Sequence, residues 1–182
     1  MNSSEICYSI VIPVFNEEAV LNQAYHRLRE VMEQAGKPYE LIFVDDGSKD
    51  RSATMIKNYH DENPAVKLIR FSRNFGHQIA ITAGMNYASG LAVVVIDADL
   101  QDPPELIPAM IAKWQEGYDV VYAKRVQRKG ETLLKKFSAH VFYRLLRSWT
   151  DIEIPVDSGD FRLLDRKVCV ELARMPEKNR YV

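Results

Sequence analysis

Leu91-Ala92-Val93-Val94-Val95-Ile96-Asp97-Ala98-Asp99-Leu100-Gln101-Asp102 is the stretch on which the fold turns. Six apolar residues in a row suit a short strand buried on both faces, as the central strands of a parallel sheet are. This is the longest purely apolar run in the chain, and it falls far short of the roughly 18–20 residues that cross a bilayer. It runs directly into three aspartates. Ligands of open parallel sheets bind beyond the carboxyl ends of the strands, so this junction is where chemistry is expected. An Asp-x-Asp pair alone is a weak signal.

Four more β-type runs flank it: Tyr8–Val14, Tyr39–Val44, Val66–Phe71 and Asp119–Ala123. Helical patterns alternate with them over Glu17–Gln34, Asp50–Tyr59, Phe75–Ala88 and Pro103–Trp114. The alternation predicts an α/β domain with a mainly parallel central sheet flanked by helices. The ends of the first two strands repeat the acidic pattern, as Phe15-Asn16-Glu17-Glu18 and Asp45-Asp46-Gly47-Ser48. Carboxylates crowded along one sheet edge need hydrogen-bond donors or a cation. A hard divalent ion with oxygen ligands, Mg²⁺ or Mn²⁺, meets that need. Plainer roles compete: Asp102, ahead of Pro103-Pro104, and Asp50 both suit helix N-caps, and Asp45–Ser48 suits a turn.

The chain has 182 residues, 47% hydrophobic and 27% charged, which suits one domain over 1–182 with a substantial core. A net charge of −1 argues against nucleic acid as a partner. That figure hides an asymmetry. Residues 124–147 hold eight basic side chains and one acid, Glu131, which leaves the rest of the chain near −8. Within this segment Lys136, His140, Arg144 and Arg147 share one helical stripe, and Leu134, Phe137, Val141 and Leu145 share another. Such a basic amphipathic helix fits an anionic membrane surface, or an ordinary surface helix packed by its apolar side. Residues 1–5 lack a signal-peptide core. Cys7 and Cys169, both in apolar segments, are expected as buried thiols. The four histidines show no zinc-ligand spacing. The chain has no G-x-G-x-x-G after the first strand, no P-loop and no G-x-S-x-G, which removes the main support for dinucleotide dehydrogenase, P-loop and α/β-hydrolase readings.

The order of Ser9–Glu18, Val44–Ser48, Ser72-Arg73-Asn74-Phe75-Gly76-His77, Asp97–Glu105 and Ser158-Gly159-Asp160-Phe161-Arg162-Leu163 resembles the family 2 glycosyltransferases, in particular the polyprenyl-phosphate (dolichyl- and undecaprenyl-phosphate) branch. The resemblance implies a GT-A fold, a nucleotide-sugar donor and a divalent metal. It further implies that Pro13, Phe15 and Glu17 line the base and ribose pocket, and that Asp46 accepts a hydrogen bond from the base with Asp45 in support. Asp97 and Asp99 match the metal motif, with Gln101 as an extra ligand; Asp99 is the first choice for direct metal contact and Asp97 for ribose or metal. Arg73 is a candidate for the diphosphate, or equally a surface arginine. Asp160 matches the candidate-base position and is expected to position donor or acceptor, with a proton-accepting role, an N-cap or a buried pair with Arg162 as alternatives.

Residues 1–123 would then form the nucleotide-sugar-binding part, and residues 124–182 the acceptor and membrane-facing part. Arg125 and Arg128 would clamp the acceptor phosphate, with the basic interface helix Glu131–Trp149 against the membrane. The implied activity is inverting transfer to a polyprenyl phosphate at the cytoplasmic membrane face, with UDP-glucose as the expected donor and GDP-mannose or a UDP-amino sugar as its rivals. A transmembrane region beyond Val182 is expected from the branch. The alternatives are a soluble family 2 enzyme acting on a saccharide, and a nucleotide-sugar-binding module without turnover. Oligomeric state stays open, a homo-oligomer included.

Overall fold

Six strands make one sheet in the order β3-β2-β1-β4-β6-β5. A computed structural model describes residues 6–124 and 158–175. Arg125, Arg128 and the helix expected over Glu131–Trp149 lie outside the described residues. Strands β1 (Tyr8–Val14), β2 (Tyr39–Asp45), β3 (Val66–Arg70) and β4 (Ala92–Val95) are parallel. Helices α1 (Leu21–Gln34), α2 (Ser52–Glu62) and α3 (His77–Tyr87) connect them. A single 3₁₀ turn at Pro104–Leu106 and helix α4 (Ile107–Gln115) lead to β5 (Val120–Lys124). Strand β6 (Ser158–Asp165) runs antiparallel to β4 and is followed by α5 (Arg166–Arg174). By contact density the chain divides into residues 1–122 with 160–182, and residues 123–159. The site described below lies in the first unit.

The core follows from the apolar runs. Ile10–Ile12 and Val93–Val95 are fully buried, as strands covered on both faces must be. Helix α3 lies directly on β1, since a Cβ at Gly84 would fall 2.3 Å from Val11 Cγ1. Ala80, Ile81 and Met85 of that helix join Val11, Val44 and Val95 in one cluster.

Several boundaries differ from the sequence reading, each for a local reason. Helix α1 starts at Leu21, not Glu17: residues 17–20 form a turn in which the Val20 and Leu21 N–H groups donate to the Glu17 C=O, and side chains of the next loop hold the Glu17 and Glu18 N–H groups. Asp102 is buried and stands one residue before the cap position, which Pro103 holds. Asp50 precedes the cap position Arg51, yet its Oδ1 accepts the Ser52 N–H at 2.9 Å, so it still satisfies a first-turn donor. Cys7 is half-buried rather than buried; Cys169 is buried, which pushes its thiol up to about 11, and neither forms a disulfide. Strand β6 and helix α5 were not anticipated. In β6, Phe161 and Leu163 point into the core, whereas Asp160 and Arg162 do not share that burial.

At the amino ends of the strands, Glu40 is 1% exposed. Its Oε1 accepts from Ser9 Oγ at 2.5 Å and from Ser89 N–H at 2.7 Å, and Lys67 pairs with Oε2. Burial alone would raise this carboxyl, but Lys67, Ser9 and Ser89 outweigh it and hold its pKa below the ordinary value. A depressed folded pKa gives stability that is present above the unfolded value and lost as pH falls through the folded one. Glu40→Gln is therefore expected to cost about 1–3 kcal/mol near neutrality. It should also flatten the acid limb of the stability curve, as read by urea unfolding across pH. The carboxyl ends of the strands, away from Glu40, should keep their structure.

Candidate active site

The carboxyl ends of β1, β2 and β4 open into a cleft of about 380 Å³. Pro13, Phe15, Glu17, Asp46, Asp97 and Asp99, all expected from the sequence, line it. So do Asn74, Gly76 and His77, which were not singled out as site residues.

Two loops are stitched together along one wall. Ser48 Oγ accepts the Asn16 N–H (2.9 Å), Ser52 Oγ the Glu17 N–H (3.0 Å) and Asp50 Oδ2 the Glu18 N–H (3.1 Å). In return, Asn16 Oδ1 accepts the Lys49 N–H and Glu18 Oε2 the Arg51 N–H, both at 2.8 Å. Asn16 pays for this with a left-handed backbone, φ 57°. Asn16 and Glu18 thus hold the loop, and Glu17 is left facing the cleft.

Asp45 and Asp46 divide their work. Asp45 is fully buried; its Oδ1 accepts the Ser48 N–H (3.0 Å), and Oδ2 lies 3.3 Å from Arg70 Nε. It shapes the turn and does not line the cleft. Asp46 lines it, and its two oxygens accept the N–H groups of Phe75 (2.7 Å) and Gly76 (2.9 Å). Arg73 is exposed and outside the cleft lining, its guanidinium 4.1 Å above the Phe75 ring. Gln101 is exposed too; its N–H donates to Asp99 Oδ1 at 3.0 Å, across Leu100 in a left-handed conformation (φ 61°). A leucine there is strained, and such strain gathers at functional loops.

The antiparallel β6 completes the site. Val95 pairs with Arg162, and the same register carried two residues further sets Asp97 across from Asp160. His77, the first residue of α3, stands between them. Its Nε2 is 3.0 Å from Asp160 Oδ2 and 3.5 Å from Asp97 Oδ1. Asp160 Oδ1 also accepts from Arg162 Nη2 at 3.3 Å. The hydrogen bond from His77, against the effect of burial, holds the Asp160 carboxyl low. The same bond, opposed by burial and helped by the charge of Asp97, raises His77. Burial first, and then the charges of Asp160, Asp99 and Asp102, raises Asp97, with His77 opposing. Glu17 is raised by burial and then by Asp99, Asp50 and Asp97.

Asp97 Oδ1 is buried and accepts no hydrogen bond. An orphaned carboxylate oxygen among mutually repelling acids fits a dication. Among the described residues, His77, Asp97 and Asp160 can bring ligand atoms within 4.8 Å of one another. Asp97 belongs both to this group and to the expected set Asp97, Asp99 and Gln101. His77 escaped sequence reading because its partners come from distant strands. Following the third strand beyond Phe71, as was done for the other strand ends, would have reached it.

The chain is 64% identical over 180 residues to the Bacillus subtilis protein named uncharacterized glycosyltransferase YkcC, covering 99% of this chain and 56% of that one. It is 43% identical over 176 residues to the bactoprenol glucosyl transferase of Shigella phage SfV, covering 96% and 57%. It therefore spans little more than half the length of these curated relatives. Among solved structures, the mannosyltransferase PcManGT from Pyrobaculum calidifontis in complex with GDP-Man and Mn²⁺ superimposes with a TM-score of 0.64 at 21% identity, over 93% of this chain and 47% of that one. Glucosyl-3-phosphoglycerate synthase from Mycobacterium tuberculosis, in complex with Mn²⁺, UDP and phosphoglyceric acid, gives 0.64 at 20% identity over 90% and 57%. The fold is thus GT-A-like, an α/β fold with a mostly parallel sheet. No helix among the described residues is long and apolar enough to cross a membrane. The sequence pattern of glycosyl transferase family 2 runs through residues 9–172, from β1 to α5 and across every strand end that builds the cleft, and the chain belongs to that family.

Proposed function

We propose that the chain is the catalytic part of an inverting glycosyltransferase that moves glucose from UDP-glucose to a polyprenyl phosphate, of the undecaprenyl type, at the cytoplasmic membrane face. The observation that carries the reading is the cleft in which Glu17, Asp97 and Asp99 converge while Asp97 Oδ1 is left without a donor. This acidity suits a diphosphate only if a cation comes with it. Asp97 and Asp99 would hold Mg²⁺ or Mn²⁺, with Gln101 beside them. When bound, such an ion supplies Lewis-acid stabilisation of the charge that grows on the leaving diphosphate.

The chain's own residues do the rest. Pro13, Phe15 and Glu17 take the base and ribose. Asp46 contributes whatever acceptor capacity its two backbone bonds leave, and Asp45 supports it from beneath the turn. Arg73, stacked on Phe75, would reach the diphosphate only by leaving that ring. As the C1–O bond to the diphosphate breaks, an acceptor phosphate oxygen bonds to C1 from the opposite face, inverting the centre. A phosphate monoester with a second pKa of about 6 is already largely ionised near neutrality. Asp160, held low by His77, is therefore cast as a positioning group and not as a strong base. Relatives named bactoprenol glucosyl transferase support the lipid acceptor. Arg125 and Arg128 would meet its phosphate, and the basic helix the anionic headgroups.

A thermal-shift screen of nucleotide sugars, with Mn²⁺ and with EDTA, tests the donor. UDP-glucose with Mn²⁺ is expected to stabilise the chain by about 2.7 kcal/mol at a hundred times Kd, and EDTA should abolish the shift. Stabilisation by GDP-mannose in its place would reassign the donor. Binding without any release of UDP on addition of lipid phosphate would leave a binding module.

A further inference from the structure

We propose that His77 is a positioning residue for the transfer step, its Nε2–H holding the Asp160 carboxylate in one orientation across the cleft from Asp97. The inference rests on the reading of Asp160 as the group that faces the reacting sugar or acceptor. Its structural part stands by itself.

Three features deliver His77 to this place. The Asp46 carboxylate clamps the Phe75 and Gly76 N–H groups, which ties the chain just before His77 to the end of β2. Gly76 turns with φ 107°, a conformation that residues with a Cβ rarely adopt. Helix α3 then begins at His77 itself and is seated on β1 through Ala80, Ile81 and Gly84. The imidazole therefore projects from a backbone fixed on both sides, a requirement for holding a partner within a fraction of an ångström.

Asp160 has need of such a partner. It lies near the start of β6, where the strand's own hydrogen bonds do not orient a side chain. The contact from Arg162 is long at 3.3 Å, whereas that from His77 is 3.0 Å. Gln78, the next residue of α3, adds a further hydrogen bond to Asp160. Two consecutive residues at the head of one helix thus address one carboxylate. The nitrogen that faces the Asp160 carboxylate is Nε2, at 3.0 Å, and a carboxylate only accepts, so Nε2–H is the donor of this bond.

The use of Nε2 sets up a chemical test. A glutamine amide nitrogen reaches about as far as Nε2, and an asparagine amide nitrogen only as far as Nδ1. The full-length protein is compared with His77→Gln, His77→Asn and His77→Ala, each alone and combined with Asp160→Ala. Asn and Ala are expected to lower kcat about 10- to 100-fold, with KM for the donor little changed, while Gln keeps most of the activity. In the Asp160→Ala background the His77 substitutions should add almost nothing, because the partner they serve is gone. The proposal is overturned if Gln does no better than Ala, or if the His77→Ala and Asp160→Ala penalties multiply. The ¹⁵N signals of His77 give a readout free of turnover: the Nε2 resonance should move on Asp160→Ala, and an unmoved resonance also overturns the proposal. A wild-type protein that transfers no sugar to any lipid phosphate would count against the proposed function, and the ¹⁵N comparison would still decide the role of His77.

Discussion

Asp97→Asn is expected to lower the transfer rate by about 10²–10³-fold, the equivalent of a few kcal/mol of leaving-group stabilisation, while leaving the metal-free chain at least as stable as the wild type. The two effects have one cause. Asparagine has the size of aspartate without its charge. In the folded chain the charged form of Asp97 is disfavoured, by burial first and then by Asp160, Asp99 and Asp102. A carboxyl raised on folding binds its proton more tightly in the folded state than in the unfolded one. Its ionisation therefore costs stability as pH rises through the unfolded pKa. Removing the charge removes that cost, and with it the negative group that a dication would meet. Thermal melts in EDTA together with transfer assays in Mn²⁺ check both halves. A Tm several degrees below wild type in EDTA would make Asp97 a structural residue. Unchanged transfer would take it out of the mechanism.

Gly47→Ala is expected to cost about 2–5 kcal/mol, from a left-handed penalty of about 1–2 and steric overlap of about 1–3. Gly47 sits at φ 74°, and a Cβ there would lie 2.5 Å from Arg73 C and 2.7 Å from Asn74 N. Both contacts are backbone atoms, so no side-chain rotation relieves them. The segment pushed aside carries Asn74, Gly76 and His77 into the cleft, so donor affinity should fall together with stability. Gly36→Ala is the control: φ is 64°, but nothing lies within 4 Å of its Cβ. It should pay the conformational part alone. Urea unfolding of the two variants separates these terms, and equal losses would deny the close approach of the 73–74 backbone to the turn.

The parallel half of the sheet was legible because β1, β2 and β4 are mostly apolar runs, whose burial on both faces leaves little choice of conformation, while the edge strand β3 is only partly buried. β1 was placed to the residue, and β2 to within one. The carboxylates of the cleft were legible for a related reason: they follow those runs directly, and parallel strands bring their ends to one edge. β6 was not read as a strand, although Phe161 and Leu163 alternate with Asp160 and Arg162. Half of its residues are polar because one end of it belongs to the site. Its pairing joins Ala92 to Asp165, a register that no local pattern encodes. His77 was missed for the same reason, since both its partners are brought to it by tertiary structure. The extent of α1 was misjudged because residues 17–20 form a turn tied to Ser52 and Asp50 of a later loop, contacts that no local pattern encodes.

The reversed direction of β6 also bears on how such a chain can diversify. β5 and β6 are neighbours in the sheet, and residues 125–157 lie between them in sequence. In general, doubling the length of a connection between two strands costs only about 0.6 kcal/mol. The strand ends that bring Glu17, Asp46, Asp97 and Asp99 to the cleft precede it, and Asp160 follows it closely. A gene could exchange the whole stretch without touching the segments that carry those four carboxylates.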